Sequence, residues 1–208
     1  MKKLLTIFLV ALLTLSFAAC GGNENPDGAD PSNDSNTSDT NEPDNESVES
    51  SVKSPLELLT TVWNSYGDDE KFPAAGGDMS EENMTMDAPG KFGVDDTAVL
   101  DVTLGFPAAF AEKIDDAASL VHMMNANTFT CGAFHVKNAG DTADISAAIK
   151  DNIMQREWIC GFPDKLVIIK VEDYIISFFG ESETVDTFKT KLAEVYTSAE
   201  TLCDEPIV

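Results

Sequence analysis

Cys20 is the residue whose type and setting most clearly imply chemistry. Lys2 and Lys3 open a positive segment, Leu4 to Phe17 is apolar apart from Thr and Ser, and Ala18-Ala19 places two small residues before the cysteine. An apolar stretch this short falls below the roughly 20 residues of a bilayer span. Its flanks are those of a cleaved export signal. A cysteine at that point reads as a bacterial lipoprotein site, with residues 1–19 removed and Cys20 becoming the lipidated first residue. Gly21-Gly22 supplies the flexible start that suits such a site. The competing reading is ordinary cleavage after Ala19, which Phe17 favours slightly because leucine is usual three residues before a lipidated cysteine.

Three further groups are of a chemically capable type. Cys131 and His135 stand four apart in a segment that reads as a strand, so both side chains point to one face. A thiol nucleophile with a histidine base needs such a shared face. A reactive thiolate also needs an electropositive, partly open setting, whereas Phe129 and Ala133 share that face. A core thiol and a histidine near the strand end are therefore expected. His122 beside Met123-Met124 is a pattern of interest to copper, yet the chain has only two histidines, and core packing is the expectation there. Asp68-Asp69-Glu70, Asp78, Glu81-Glu82 and Asp95-Asp96 crowd one region with the oxygen ligands calcium uses. Their spacing does not match the D-x-[DN]-x-[DN]-G loop, and a solvated acidic loop is expected. Cys131, Cys160 and Cys203 allow one disulfide with a free thiol, or three thiols. With no CxxC pair, structural zinc is not expected. These sites imply no catalytic residue, no metal and no cofactor.

Charge limits the partners. The chain holds 37 acids against 13 Lys and Arg, and residues 53–208 hold 28 acids against 11 bases, a net charge of −17. Nucleic acid phosphates and anionic lipid headgroups repel such a domain. Residues 21–52 carry nine acids and no base amid Asn, Ser, Thr, Gly and Pro. That composition reads as a disordered, self-repelling tether on residues 20–52. The remaining 156 residues are the length of one domain with a real core.

The elements that must position these side chains follow from periodicity. Ser54-Pro55-Leu56-Glu57 is a helix start with a capping serine, and Leu56, Leu59, Val62, Trp63 and Tyr66 continue it to Gly67. Asp68 to Asp96 reads as a long mobile surface loop. Asp96 to Leu104 is a short element of undecided type, and Pro107 to Ile114 a brief helix. Ala118–Met124 and Phe129–Val136 read as strands around an Asn125-Ala126-Asn127 turn. Asp141 caps a helix expected to reach about Trp158. Leu166–Val171 and Tyr174–Phe179 form the clearest hairpin, apolar almost throughout, turning at Glu172-Asp173. A final helix from about Glu183 carries Val185, Phe188, Leu192, Val195 and Tyr196. This order predicts a two-layer α+β domain, with one four-stranded, mainly antiparallel sheet of two hairpins and helices on one face.

Met123-Met124-Asn125-Ala126, followed by a strand, a helix and Asp173-Tyr174-Ile175-Ile176-Ser177-Phe178-Phe179, resembles a family of uncharacterised lipoproteins of Gram-positive anaerobes. That family carries a C-terminal domain of unknown function. The resemblance covers roughly residues 95–197 and implies lipid anchoring but no activity or catalytic residues. The resulting expectation is a lipoprotein held by Cys20 on the extracytoplasmic face of the cell membrane. Its domain is expected to be a non-enzymatic binding or accessory module, with envelope proteins or basic peptides as partners and no nucleic acid. The alternative is a small extracytoplasmic enzyme using Cys131 and His135, or carboxylates of the acidic loop.

Overall fold

Strands that are apolar on every residue need cover on both faces, and this requirement sets the architecture. The computed structural model describes residues 52–159 and 161–207. Cys20, the signal and tether residues before Val52, and Cys160 lie outside the described residues. Four α-helices, α1 (Pro55–Asn64), α2 (Thr97–Leu104), α3 (Thr142–Met154) and α4 (Ser182–Val195), surround one sheet of eight strands. The strands are β1 (Ala74–Gly76), β2 (Thr85–Met86), β3 (Gly90–Phe92), β4 (Ile114–His122), β5 (Phe129–Val136), β6 (Lys165–Val171), β7 (Tyr174–Gly180) and β8 (Glu200–Pro206). Every pairing is antiparallel, in the order β2-β1-β4-β5-β7-β6-β8, with β3 also on β4.

The domain is α+β, but the expected four-stranded, two-layer arrangement is wrong on two counts. First, the four expected strands are only the centre of the sheet, as β4, β5, β7 and β6. The added strands are β8 and the three short ones drawn from the segment read as a mobile loop. Second, helices cover both faces. Leu58, Leu59, Val62 and Trp63 of α1 and Val185, Phe188 and Leu192 of α4 share one core with Phe129, Cys131, Val167, Ile169 and Phe178. Leu100 and Leu104 of α2 and Ile145, Ile149 and Ile153 of α3 share the other with Phe134, Leu166, Ile168, Ile175 and Phe179. Neighbouring residues on β6 and β7 thus enter opposite cores. Seven buried residues in a row on β7 leave no face for water.

Local signals account for much of the framework. Ser54 Oγ accepts from Glu57 N at 3.1 Å and starts α1. Asp96 does the same for α2 through Val99 N, which decides the undecided element as a helix. Pro107 to Ile114 is a tighter 3-10 turn over Ala108–Lys113, and β4 begins immediately after it. Asp141 does not cap α3 with its side chain, which instead accepts from Lys113 Nζ at 2.6 Å. The helix stops at Met154, short of Trp158. Arg156 beyond it donates to the carbonyls of Asp101, which also accepts from Gly105 N, and Val102 in the last turn of α2.

The segment from residue 68 to 96 is built into the sheet by close backbone contact. A side-chain carbon on Gly76 would lie 2.1 Å from Gly90 N, so only glycine lets β1 and β3 meet there. Ser119 of β4 lies beneath them, accepting from Gly77 N at 2.9 Å and donating to Gly77 O at 3.2 Å. Phe92 is buried, and Trp63 Nε1 of α1 donates to Asp87 O at 2.9 Å.

The two ends of the sheet differ. At one end the chain enters the domain: Val52 N donates to Glu172, and Tyr174 Oη donates to Val52 O at 3.2 Å. The other end carries the 123–128 turn and the 156–164 segment. Asn127 Nδ2 joins these by donating to Ile159 O at 3.3 Å and Gly161 O at 3.1 Å.

Candidate functional site

The structure separates the residues that composition singled out. Cys131 and His135 do share a face of β5, but β5 pairs with β7 in unbroken register from Phe129 to His135. Four residues of regular strand hold them about 13 Å apart along the chain, beyond the reach of a proton transfer between their side chains. Cys131 is fully buried, and burial pushes its thiol pKa well up, opposite to what a nucleophile needs. His135 sits at the rim, its Nδ1 2.5 Å from Asp115 Oδ1 and its ring against Tyr174. Cys131 faces the α1–α4 core and Cys203 the α2–α3 core, and both are free thiols. The sheet lies between them, so they cannot pair with one another. Tyr66, whose pKa is also raised by burial and then by Cys131 and Glu70, is part of the same apolar interior.

His122 ends β4 and stacks on Phe72 at 5.6 Å, with Nδ1 positioned to accept from Asn125 N. The adjacent methionines are not in the core, contrary to expectation: Met123 is 45% and Met124 75% exposed. They follow the last residue of β4 into the turn, where no helix covers them.

The acidic region contains one organised carboxylate. Asp78 accepts from Ser80 N and Oγ, from Asn83 Nδ2 at 2.8 Å and from Gly93 N at 2.9 Å. Partial burial works against its charge, but these donors outweigh it and take its pKa down to about 2. Its oxygens close the segment on itself and so are engaged by the protein's own donors. Asp68, Asp69, Glu70, Glu81, Glu82, Asp95 and Asp96 are at the surface. Among the described residues, no group of three or more His, Cys, Asp or Glu side chains is gathered to hold a metal ion. Likewise, none of the described helices is long and apolar enough to cross a membrane.

What the sequence reading missed is a surface. At the end of the sheet opposite Val52, Ile159 is 80% and Phe162 78% exposed, on the segment that Asn127 ties to the Met123-Met124 turn. Arg156, Glu157, Trp158, Phe162, Pro163 and Ile207 line a cleft of about 340 Å³ beside them. Trp158 packs on Phe179 of the inner sheet at 5.3 Å, so the cleft has a rigid aromatic floor. Its lining carries one base and one acid, Arg156 and Glu157, with Arg156 3.9 Å from Asp101, while the nearby Asp164 carboxylate accepts from Ser182 N at the start of α4. The available sequence signal was Ile159 and Phe162 on either side of Gly161, directly before Pro163. Large apolar residues in a Gly- and Pro-marked connection lie outside any helical or strand period. No family model, curated protein or solved structure matches this chain.

Proposed function

We propose that this chain is an extracytoplasmic lipoprotein, held to the membrane through Cys20, whose domain acts as a non-enzymatic binding module for envelope proteins or basic peptides. The observation that carries this reading is a set of large apolar side chains left in water at one end of the sheet. The chain enters beside Glu172 and Tyr174, and the exposed apolar residues Met124, Ile159 and Phe162 stand at the opposite end. Large apolar side chains exposed at one end of a domain are a usual mark of an interaction surface.

The anchor is tested by labelling cells that produce the full chain with radioactive palmitate. The wild type is expected to incorporate label and partition into the detergent phase, and Cys20→Ala to do neither. Stable retention implies at least two acyl chains, since one binds a bilayer only marginally. Release of both proteins into the medium in equal amounts rejects the anchored reading.

A further inference from the structure

Methionine is distributed in this domain unlike the other large apolar residues. Six methionines fall among the described residues. Five of them, Met79, Met84, Met86, Met123 and Met124, are between 45% and 79% exposed, and only Met154 packs against a core. A lone exposed apolar residue needs no explanation, but a flexible thioether usually fills gaps inside a core. The sheet puts two of the five on one open strip. Ala75 of β1 pairs with Met86 on one side and Val121 on the other, and Met123 N donates to Pro73 O at 2.9 Å, which carries the β1–β4 ladder one residue past His122. Paired residues, and residues two apart on a strand, share a face. Met86, Ala75, Val121 and Met123 therefore lie on one side of this corner. Ala74 and Leu120 face the α1–α4 core on the other side, and none of the four belongs to the α2–α3 core on their own. β2 ends the strand order, so no further strand shields Met86. Met84 stands two residues before it, and Met79 lies in the preceding turn with φ 66°. A thioether can ligate a soft metal or accept oxygen. Met86 and Met123 are two strands and two residues apart, about 12 Å between Cα atoms, which does not gather their sulfurs on one ion. Oxidation needs only one exposed sulfur at a time.

We infer that Met79, Met84, Met86, Met123 and Met124 are sites of sacrificial oxidation to the sulfoxide by a hypohalous acid, and that they spare the domain's inner sulfurs, Met154, Cys131 and Cys203. The sulfur lone pair takes the chlorine of hypochlorous acid, the O–Cl bond breaks and hydroxide leaves. Water then forms the S–O bond as chloride departs and two protons are released, one of which neutralises the hydroxide. Sulfur loses two electrons and chlorine gains them, so one thioether and one hypochlorous acid give one sulfoxide, one proton and one chloride. The undissociated acid is neutral, so the net charge of −17 on residues 53–208 does not hold it off. A sulfoxide is polar and disrupts a core. At these five positions the new oxygen enters water instead, because the side chains are already solvated. At Met154, Cys131 or Cys203, which are packed in the cores, oxidation strikes the packing itself. The inference goes beyond the binding-module reading and needs neither the anchor nor a partner.

The test treats the full chain, in non-ionic detergent at slightly acid pH, with hypochlorous acid at less than one equivalent per methionine. Peptide mass spectrometry reads the oxygen gained by each sulfur. The five exposed methionines are expected to be oxidised at least about fivefold more than Met154. Chain oxidised at all five is expected to keep a cooperative urea transition, with its midpoint moved by less than about 0.5 M. A variant combining Met79→Leu, Met84→Leu, Met86→Leu, Met123→Leu and Met124→Leu is expected to show about threefold or more oxidation of Met154 and Cys131 at the same dose. Cys160 is common to both proteins and cancels in the comparison. Met84→Leu with Met86→Leu is expected to give a smaller rise, and it carries the test if the larger set does not fold. Oxidation of Met154 to the same extent as the five overturns the proposal, since exposure then does not select the site. Unchanged oxidation of Met154 and Cys131 in the leucine variants overturns the shielding. Loss of the cooperative transition once the five are oxidised makes the event damage rather than protection, and also overturns it.

Discussion

Phe129 is the residue on which the α1–α4 core converges. It is fully buried, with its ring 5.2 Å from Phe72, 5.1 Å from Phe188 and 6.3 Å from Phe178. Truncation to alanine removes a whole aromatic from a site hemmed in by a sheet and two helices, which cannot collapse fully into the gap. The expected cost is about 3–5 kcal/mol, a large part of the roughly 5–15 kcal/mol that holds a domain folded. With a urea dependence of about 2 kcal/mol per molar, the unfolding midpoint falls by about 2 M. The informative experiment is the cycle with Phe72→Ala. Phe72 comes from the segment that reads as a mobile loop, yet it packs on Trp63 at 5.0 Å as well as on Phe129. If residues 68–96 are part of the folded core, the two substitutions are coupled by about 0.5–1.5 kcal/mol. Urea titrations of the wild type, both single variants and the double variant measure this. Additivity to within about 0.3 kcal/mol would falsify the placement of Phe72 and return that segment to the surface.

Two other outcomes follow from the same geometry. Asp78 has its pKa depressed on folding, so its contribution to stability is present above about pH 4 and is lost as pH falls toward about 2. Discounted for its partial exposure, that contribution is about 1 kcal/mol, and Asp78→Ala is expected to flatten the acid limb of a stability-against-pH curve; an unchanged limb speaks against the hydrogen-bonded carboxylate. Cys131, buried with a raised pKa, is expected to react with iodoacetamide at neutral pH only as fast as the domain unfolds. Stoichiometric labelling of the folded protein within minutes contradicts that placement.

Several features were legible in the residues alone. The Ser54 cap, the helical spacing from Leu56 to Tyr66 and the turn at Glu172-Asp173 depend on groups a few residues apart, and each appears where its local signal put it. β6 and β7 also announced themselves, because burial on both faces writes a nearly continuous apolar run into a sequence, whereas β4, broken by Asp115, Asp116 and Ser119, reads as Ala118–Met124 and runs Ile114–His122. Other features were decided only in the tertiary structure. β8, Glu200–Pro206, is mostly polar and exposed. It is a strand because β6 offers it a backbone ladder and because Lys165 and Lys189 meet Asp204, while Lys150 meets Glu205. β1 and β3 exist because Gly76 and Gly90 let two backbones touch across 14 positions of chain, which neither segment's composition reveals. The exposure of Met124, Ile159 and Phe162 was likewise invisible, since an apolar residue in a sequence carries no mark of whether anything will cover it. Local hydrogen bonding and periodicity are properties of a segment. Which edge a strand finds, which face a helix covers and which apolar group stays in water are properties of the assembled chain, fixed by partners distant in sequence.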